Sequence, residues 1–483
     1  MGNIFLPMSL LDPSRKNHSN TADHLRASVQ RIQDVLRNSY IDAYITNVCV
    51  APISVRYELE LSPGVRLAAI QGCASDIALA LGCEKVTIAP VVGKYSVVGI
   101  DVPKTAVETV CLRDVLDTPE LREDKSPLAF ALGQDIAGNN VICDIGKERH
   151  LLIGGATGTG KSTLLHSLII SLLYHASPEN VRLVIVDTTG LELRQYIVPH
   201  LLIPPVTNER KAVGAIQWLN SEVQQRYNSF SKSRTRSIYD YNRKAAENGA
   251  ETLPHIVAIV DDIFHLFAVR DDSLEGTLRN LILRGHIVGV HLILATQHAY
   301  TGAVVNLANL RNMGRIAFAL SSRLDSIALL GKDGAEKLSG KGELLYLPIG
   351  SSVSQHIQGC FVSDSEIESV INCAKIIFES NSTPSNQSSI ETCLQMPSKE
   401  TPCVGVSNNE TDGDELFPAA VDAVLETGLA SVSMLQRRLK LGYNRAAQLV
   451  DEMEKKGIVG SFQGTHPRSI LITHEQWAQM KRR

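Results

Sequence analysis

The chain has 483 residues, 44% of them hydrophobic and 20% charged, with a net charge of −4 at pH 7. This is a globular composition, and the length implies about three domains. The slightly negative balance excludes a uniformly basic coat for polyanions, and no run approaches the ~18 apolar residues of a membrane-spanning helix.

Nine cysteines, from Cys49 to Cys403, are dispersed, odd in number and never spaced as C-x2-C. A disulfide framework or zinc ribbon is therefore not expected, and a reducing cytoplasm fits. The start lacks a charged-then-apolar signal pattern, and Leu6 stands where a myristoylation site requires Ser or Thr. The chain is thus expected to be cytoplasmic, with no self-contained membrane anchor.

Residues 1–21 are polar and carry Pro7 and Pro13, which predicts a flexible arm. Residues 22–125 predict a small α/β domain: a helix over Ala22 to Arg37, then β-rich runs at Val55 to Leu61, Lys85 to Ile88 and Tyr95 to Val102. A hinge around Asp117 to Pro127 leads into a larger domain over 126–378. There, strands at Leu151 to Gly154, Val181 to Asp187, His255 to Asp261, His291 to Thr296 and Arg315 to Ala319 alternate with helical segments. That alternation predicts a wound, mainly parallel sheet. The stretch Leu164 to Tyr174 is apolar but short, and reads as a buried helix.

Residues 379–413 are rich in Ser, Asn, Thr and Pro, which predicts a flexible linker. Residues 414–483 read as a separate domain of three helices, at Phe417 to Glu426, from Ser433, and at Tyr443 to Lys456, followed by a hairpin over Phe462 to Thr473. Ser433 and Gln436 match a capping box. Ala446, Leu449, Val450 and Met453 share one helix face, leaving Asn444, Arg445, Gln448 and Lys455 outward. Three helices and a hairpin describe a winged helix. From Ser431 onward, ten Lys or Arg against four acids give +6, so the remainder carries −10 of the total of −4. A basic end piece on an acidic body suits a nucleic-acid-contacting module; a solvated surface would carry the same charges.

Gly155-Ala156-Thr157-Gly158-Thr159-Gly160-Lys161-Ser162 lies between a predicted strand and a predicted helix that starts at Thr163. The pattern G-x4-G-K-[ST] uses backbone N–H groups and the helix start to cradle phosphates; Lys161 reaches the β and γ phosphates, and Ser162 ligands Mg2+. Such a site also needs a carboxylate at a neighbouring strand end. Asp261, closing an aliphatic run, is expected beside Mg2+, and Asp262 is expected to polarise the attacking water; the alternative is that both acids cap the following helix. Gln297, at the end of the next strand, could sense the γ phosphate.

The strings HLLIGGATGTGKST, LPHIVAIVDDIFHL, GVHLILATQ and AEKLSGKGELLYLP with FVSDSEIE resemble, in order and spacing, the FtsK/SpoIIIE family of DNA translocases. RYELELSPGV and SPLAFALGQDIAG resemble the family's α domain and its junction with the motor, and SVSMLQRRLKLGYNRAAQLVDEMEKKGIVG resembles its γ winged helix. The resemblance implies a RecA-like P-loop ATPase domain that uses ATP and Mg2+ and forms a homo-hexameric ring on double-stranded DNA. It further implies a role in chromosome segregation or mobile-element transfer, with a site-specific recombinase or division-septum proteins as partners. In the winged helix, Asn444, Arg445 and Gln448 are the expected base-reading residues, and Arg437, Arg438, Lys440 and Arg468 the expected phosphate contacts.

Four positions, at three places, depart from the family pattern. Asp262 replaces a glutamate, Thr188-Thr189 replaces a Pro-Lys, and Ile327 replaces an arginine that would serve a subunit interface; Arg323 or Arg315 could substitute. A shorter acid predicts slow hydrolysis. One rival reading is therefore a DNA-binding organiser with a weak ATPase; the other is a secretion-type motor, since secretion motors share the same RecA-like family.

Overall fold

The computed structural model describes residues 6–14, 22–91, 93–104, 108–269, 271, 273–379 and 417–427. It also describes positions 434, 438, 449–450, 453–454, 458–460, 470–472 and 476–477. The chain divides into two units, 1–398 and 399–483.

The first unit begins with a small α/β layer. Strands β1 (Ala43–Val50), β2 (Ser54–Leu61), β3 (Thr87–Pro90) and β4 (Val97–Pro103) form an antiparallel sheet in the order β1-β2-β4-β3. The helix Ala22–Asn38 covers it, burying Ile32 and Leu36 against Leu59, Ile77 and Ile100. This matches the predicted helix and the three predicted β-rich runs, and adds β1 and the short helices Leu67–Gly72 and Ala74–Leu81.

The larger layer holds β5 (Val110–Cys111), β6 (Ala129–Asp135), β7 (Asn140–Asp144), β8 (Leu151–Gly154), β9 (Val181–Asp187), β10 (His255–Asp261), β11 (Val290–Thr296), β12 (Gly314–Phe318), β13 (Glu343–Leu347) and β14 (Gln355–Phe361). The order is β7-β6-β14-β13-β12-β8-β11-β10-β9, with β5 beside β14. From β12 to β9 all pairs are parallel. Every residue of β8, β10 and β11 is buried, the mark of parallel strands covered on both faces. Leu151 and Ile153 enter one core with the helix Lys161–His175; Leu152 enters the other, with the helices Glu209–Ser233 and Leu274–Arg284. Residues 164–174 are all buried, as predicted for a helix apolar on every side.

Three expectations are corrected. The sheet is parallel only in one half, because β13, β14, β6 and β7 extend it in antiparallel fashion. Residues 6–14 do not form a loose arm: Leu6 and Leu11 are buried in the core of the larger layer, and the Asp12 amide donates to Glu366 Oε1 at 2.7 Å. The expected hinge is likewise packed, since Leu121 of the helix Pro119–Arg122 lies in that core with Leu112, Val115, Leu116 and Leu128. In both segments buried leucines outweigh the local polar and proline signals.

Four histidines gather at the N-terminal ends of the parallel strands, at the opposite end from Gly154 and Asp261. His255 Nδ1 lies 3.2 Å from His291 Nε2, His291 Nδ1 bonds the Arg149 carbonyl at 2.7 Å, and the Leu292 amide donates to His150 Nδ1 at 3.0 Å. The rings of His150 and His286 stand edge-on, 5.9 Å apart. Burial holds all four well below the ordinary histidine range, His255 at about 3 and His286 and His291 at about 4.

In the second unit the helix Phe417–Thr427 builds a separate core: Ala420, Val421 and Val424 meet Met434, Leu449, Val450, Met453, Ile458, Val459 and Trp477. Leu449, Val450 and Met453 are buried as their spacing predicts. An antiparallel bridge joins Val459 to Ile470, and Trp477 Nε1 donates to Asp422 Oδ1 at 2.8 Å. The predicted linker after Glu379, the Ser433 cap and most of the predicted hairpin lie outside the described residues.

Candidate nucleotide site

The phosphate loop leaves β8 and ends in the helix Lys161–His175. Its path needs two left-handed glycines, Gly158 at φ 76° and Gly160 at φ 117°. A side chain at Gly160 would also meet the Gly342 backbone at 2.9 Å. Neighbouring strands hold the loop: the Gly155 amide donates to the Thr296 carbonyl and the Ala156 amide to the Ala319 carbonyl, while Thr159 Oγ1 donates to the Ala156 carbonyl at 2.7 Å. The first helical bond runs from the Leu164 amide to the Gly160 carbonyl, so the N–H groups of Lys161, Ser162 and Thr163 have no partner within the helix. Gly160, as N-cap, supplies no side chain to cover them. A row of donors at a helix start, with Lys161 buried beside it, is an anion cradle.

Asp261 ends β10 and is 5% exposed, and its Oδ1 has no hydrogen-bond partner. Burial pushes its carboxyl up to about 6 and the nearby Asp187, Glu192 and Asp262 add to the rise, against the attraction of Lys161. An unpartnered buried carboxylate oxygen beside a lysine fits a divalent cation held jointly with Ser162 and phosphate oxygens. No group of three or more His, Cys, Asp or Glu suited to a metal occurs among the described residues.

Asp262 takes a left-handed backbone, φ 58° and ψ 83°, and its Oδ1 accepts from the Phe264 amide at 3.2 Å, capping the short helix Ile263–Ala268. Its other oxygen lies 4.0 Å from His265 Nε2. The capping alternative therefore describes part of what Asp262 does. Gln297, just past β11, accepts from Thr157 Oγ1 at 2.8 Å, a link to the phosphate loop that spacing alone does not disclose. β11 lies between β8 and β10, so Gln297 stands between the phosphate loop and Asp261.

Asp187, at the end of β9, shows what Thr188-Thr189 does in place of Pro-Lys. Its carboxylate accepts from Thr189 Oγ1 at 2.7 Å and from the amides of Gly190, Glu192 and Leu193. Burial opposes its ionisation, but these bonds prevail and hold it below the usual carboxylate range. The two candidate interface arginines also separate. Arg315 is spent inside the chain on the carbonyls of Leu329 and Ala308, whereas Arg323 is exposed and, among the described residues, paired only with Asp333 at 3.4 Å. Ile327 is partly exposed on the same helix, Arg323–Leu330.

Of the expected DNA-contacting residues only Arg438 is described. It is exposed and bonded to Glu426 Oε2 at 2.9 Å. Arg437, Lys440, Asn444, Arg445, Gln448 and Arg468 lie outside the described residues.

A phosphate loop on one strand, an acid two strands away and a polar residue on the strand between them define a RecA-like P-loop ATPase domain, preceded by a small α/β domain and followed by a winged-helix domain. The profile of the FtsK/SpoIIIE family matches residues 111–300, that of the FtsK alpha domain residues 6–104, and that of the Ftsk gamma domain residues 411–473. The chain belongs to the FtsK/SpoIIIE family. It is 39% identical to the DNA translocase FtsK of Caldanaerobacter subterraneus subsp. tengcongensis, over 97% of this chain and 64% of that protein. It is also 39% identical to the DNA translocase FtsK of Clostridium acetobutylicum, over 97% of this chain and 60% of that protein. The chain thus spans about three-fifths of the curated relatives it matches. The pCW3 conjugation coupling protein TcpA, solved in monomer form with ATPgS, shares the fold at TM-score 0.50 and 16% identity, over 72% of this chain and 99% of that one. No helix of the described residues is long and apolar enough to cross a membrane.

Proposed function

We propose that the chain is an ATP-driven double-stranded DNA translocase that works in the cytoplasm as a homo-hexameric ring oriented by its winged helix. The observation that carries this reading is the buried, unpartnered Asp261 oxygen beside Lys161 and the empty-handed helix start, in a chain whose FtsK-type domains stand in order. Chromosome segregation or mobile-element transfer is the process it would serve, with a recombinase or septum proteins as partners.

The loop N–H groups and Lys161 would hold the β and γ phosphates, and Ser162 with Asp261 would hold Mg2+. Bound there, Mg2+ would supply neutralisation of the charge that develops on the transferred phosphoryl group. Asp262 would orient water through the carboxylate oxygen that does not cap the helix. Gln297 would exchange Thr157 for the γ phosphate, linking nucleotide state to the strand end. Arg323 is the stronger candidate for a contact across the ring, because Arg315 is already engaged. In the winged helix, Asn444, Arg445 and Gln448 would read bases, and Arg437, Arg438, Lys440 and Arg468 would meet phosphates, making binding salt-dependent.

A second reading, a DNA-binding organiser with little turnover, is favoured by one observation: the Asp262 carboxylate is engaged as a helix cap. Triplex displacement and DNA-stimulated ATP hydrolysis separate the two. The parent chain is expected to do both, Lys161→Ala to lose about 100-fold or more of the hydrolysis, and Asp262→Glu to hydrolyse faster. A parent that binds duplex DNA but shows no stimulated hydrolysis would establish the organiser instead.

A further inference from the structure

Ser339-Gly340-Lys341-Gly342, the loop leading into β13, packs on the phosphate loop. The Gly342 amide donates to the Thr159 carbonyl at 2.9 Å, and Gly342 Cα is the atom a side chain at Gly160 would strike. Three successive residues are left-handed: Gly340 at φ 81°, Lys341 at φ 55° and Gly342 at φ 85°. Glycine adopts this backbone freely; a lysine there is strained. Buried Gln358 holds the shape from the sheet, its Nε2 donating to the Lys341 carbonyl at 2.8 Å, while its Oε1 has no partner. The two hydrogen bonds hold one loop conformation against the cost of a strained residue and an unsatisfied buried acceptor, a combination expected where the shape serves binding.

The Lys341 side chain is exposed, and no ion pair or hydrogen bond engages its ammonium among the described residues. The nearest acid in sequence, Glu343, is already committed: it accepts from the Ser339 amide and hydroxyl and pairs with His356 Nε2 at 2.6 Å. The loop thus presents a second uncommitted cation next to the anion cradle. Its side of the cradle is also fixed. Thr157 meets Gln297 on the β11 flank, toward Asp261, whereas Thr159 and Gly160 meet Gly342 on the β12 and β13 flank. Lys341 therefore stands away from the hydrolytic end.

We propose that Lys341 is a nucleotide-binding residue whose ammonium takes the α-phosphate end of the nucleotide held by the phosphate loop of the same chain. This rests on the nucleotide-site reading above. It makes Lys341 a determinant of affinity for both ATP and ADP rather than of the chemical step.

The test is calorimetric titration of the full chain with ADP, plus steady-state ATP hydrolysis with and without duplex DNA, in the parent, Lys341→Gly and Lys341→Arg. Glycine suits the left-handed backbone, so folding is protected. Lys341→Gly is expected to raise the Kd for ADP and the KM for ATP about tenfold each, with kcat changed less than about twofold, the size of one charge-assisted contact. Lys341→Arg is expected to keep most of the affinity. Unchanged Kd and KM in Lys341→Gly would overturn the assignment. So would an unchanged Kd with lost DNA stimulation, which would place the lysine on DNA. A parent that fails to bind ADP would defeat the site reading itself, a result distinct from parent and variant binding equally well.

Discussion

With Asp261→Asn, the nucleotide-free protein is expected to become more stable at pH 7.5 while losing ATP hydrolysis. The carboxyl is buried beside three other acids and its pKa lies at about 6 in the fold, raised from 3.8. A raised folded value means that the group favours folding below about pH 4 and costs stability as pH rises through 6. At pH 7.5 the full penalty applies, about 1 to 3 kcal/mol from a shift of this size. Asparagine removes the charge and keeps the shape, but it cannot serve as an anionic ligand for a divalent cation, so hydrolysis should fall by about 100-fold or more. Urea midpoints of parent and variant at pH 7.5 and 5 provide the check. The stability gain should be large at the first pH and shrink at the second. A variant no more stable than the parent at pH 7.5 would show that the buried charge costs nothing there.

Mild acid is expected to unfold the P-loop domain from the end of the sheet opposite the phosphate loop. His150, His255, His286 and His291 are all depressed below 6.5, chiefly by burial, and Arg149 and Arg226 add positive charge around them. As pH falls below 6.5 the unfolded chain takes up protons that the folded cluster refuses. Stability is therefore complete above about pH 6.5 and is lost as pH falls toward 4. At pH 5 each neutral histidine costs up to about 2 kcal/mol, and the cluster on the order of 4 to 8. That rivals the ~5 to 15 kcal/mol stability of a whole domain. Asp261 and Glu148, whose carboxyls are raised by burial, act in the opposite sense over the same range and cannot produce this loss. The urea midpoint measured from pH 7.5 to 5 should fall steeply, and His255→Gln should flatten the slope. A midpoint that stays level would mean that the cluster takes up protons without strain.

The parallel half of the sheet was legible because β8 to β11 are aliphatic runs interrupted only by Arg182 and His291, and a chemically distinctive residue, Gly154, Asp187, Asp261 or Gln297, stands at or just past each strand end. The antiparallel half was not. β13 is apolar at four consecutive positions, β14 buries the polar Gln358 while exposing Phe361, and β6 and β7 are joined by a tight turn that reads as loop. The packing of the expected hinge, Asp117 to Pro127, leaves little trace in the sequence because Leu121 is the one buried residue of its short helix and stands among polar and proline neighbours. Pairings distant in sequence, such as Thr157 with Gln297 or Lys341 beside the phosphate loop, leave no periodic trace and emerge only when the strand order is known.

The docked residues 6–14 alter how the small domain can move. The chain is pinned to the larger layer before that domain, through Leu6, Leu11 and the Tyr174 hydroxyl on the Pro7 carbonyl, and pinned again after it by Val110, Leu112 and Val115. A domain held at both ends is a handle rather than a bead on a string. A force applied to it is passed into the core of the larger layer through two anchor points at once.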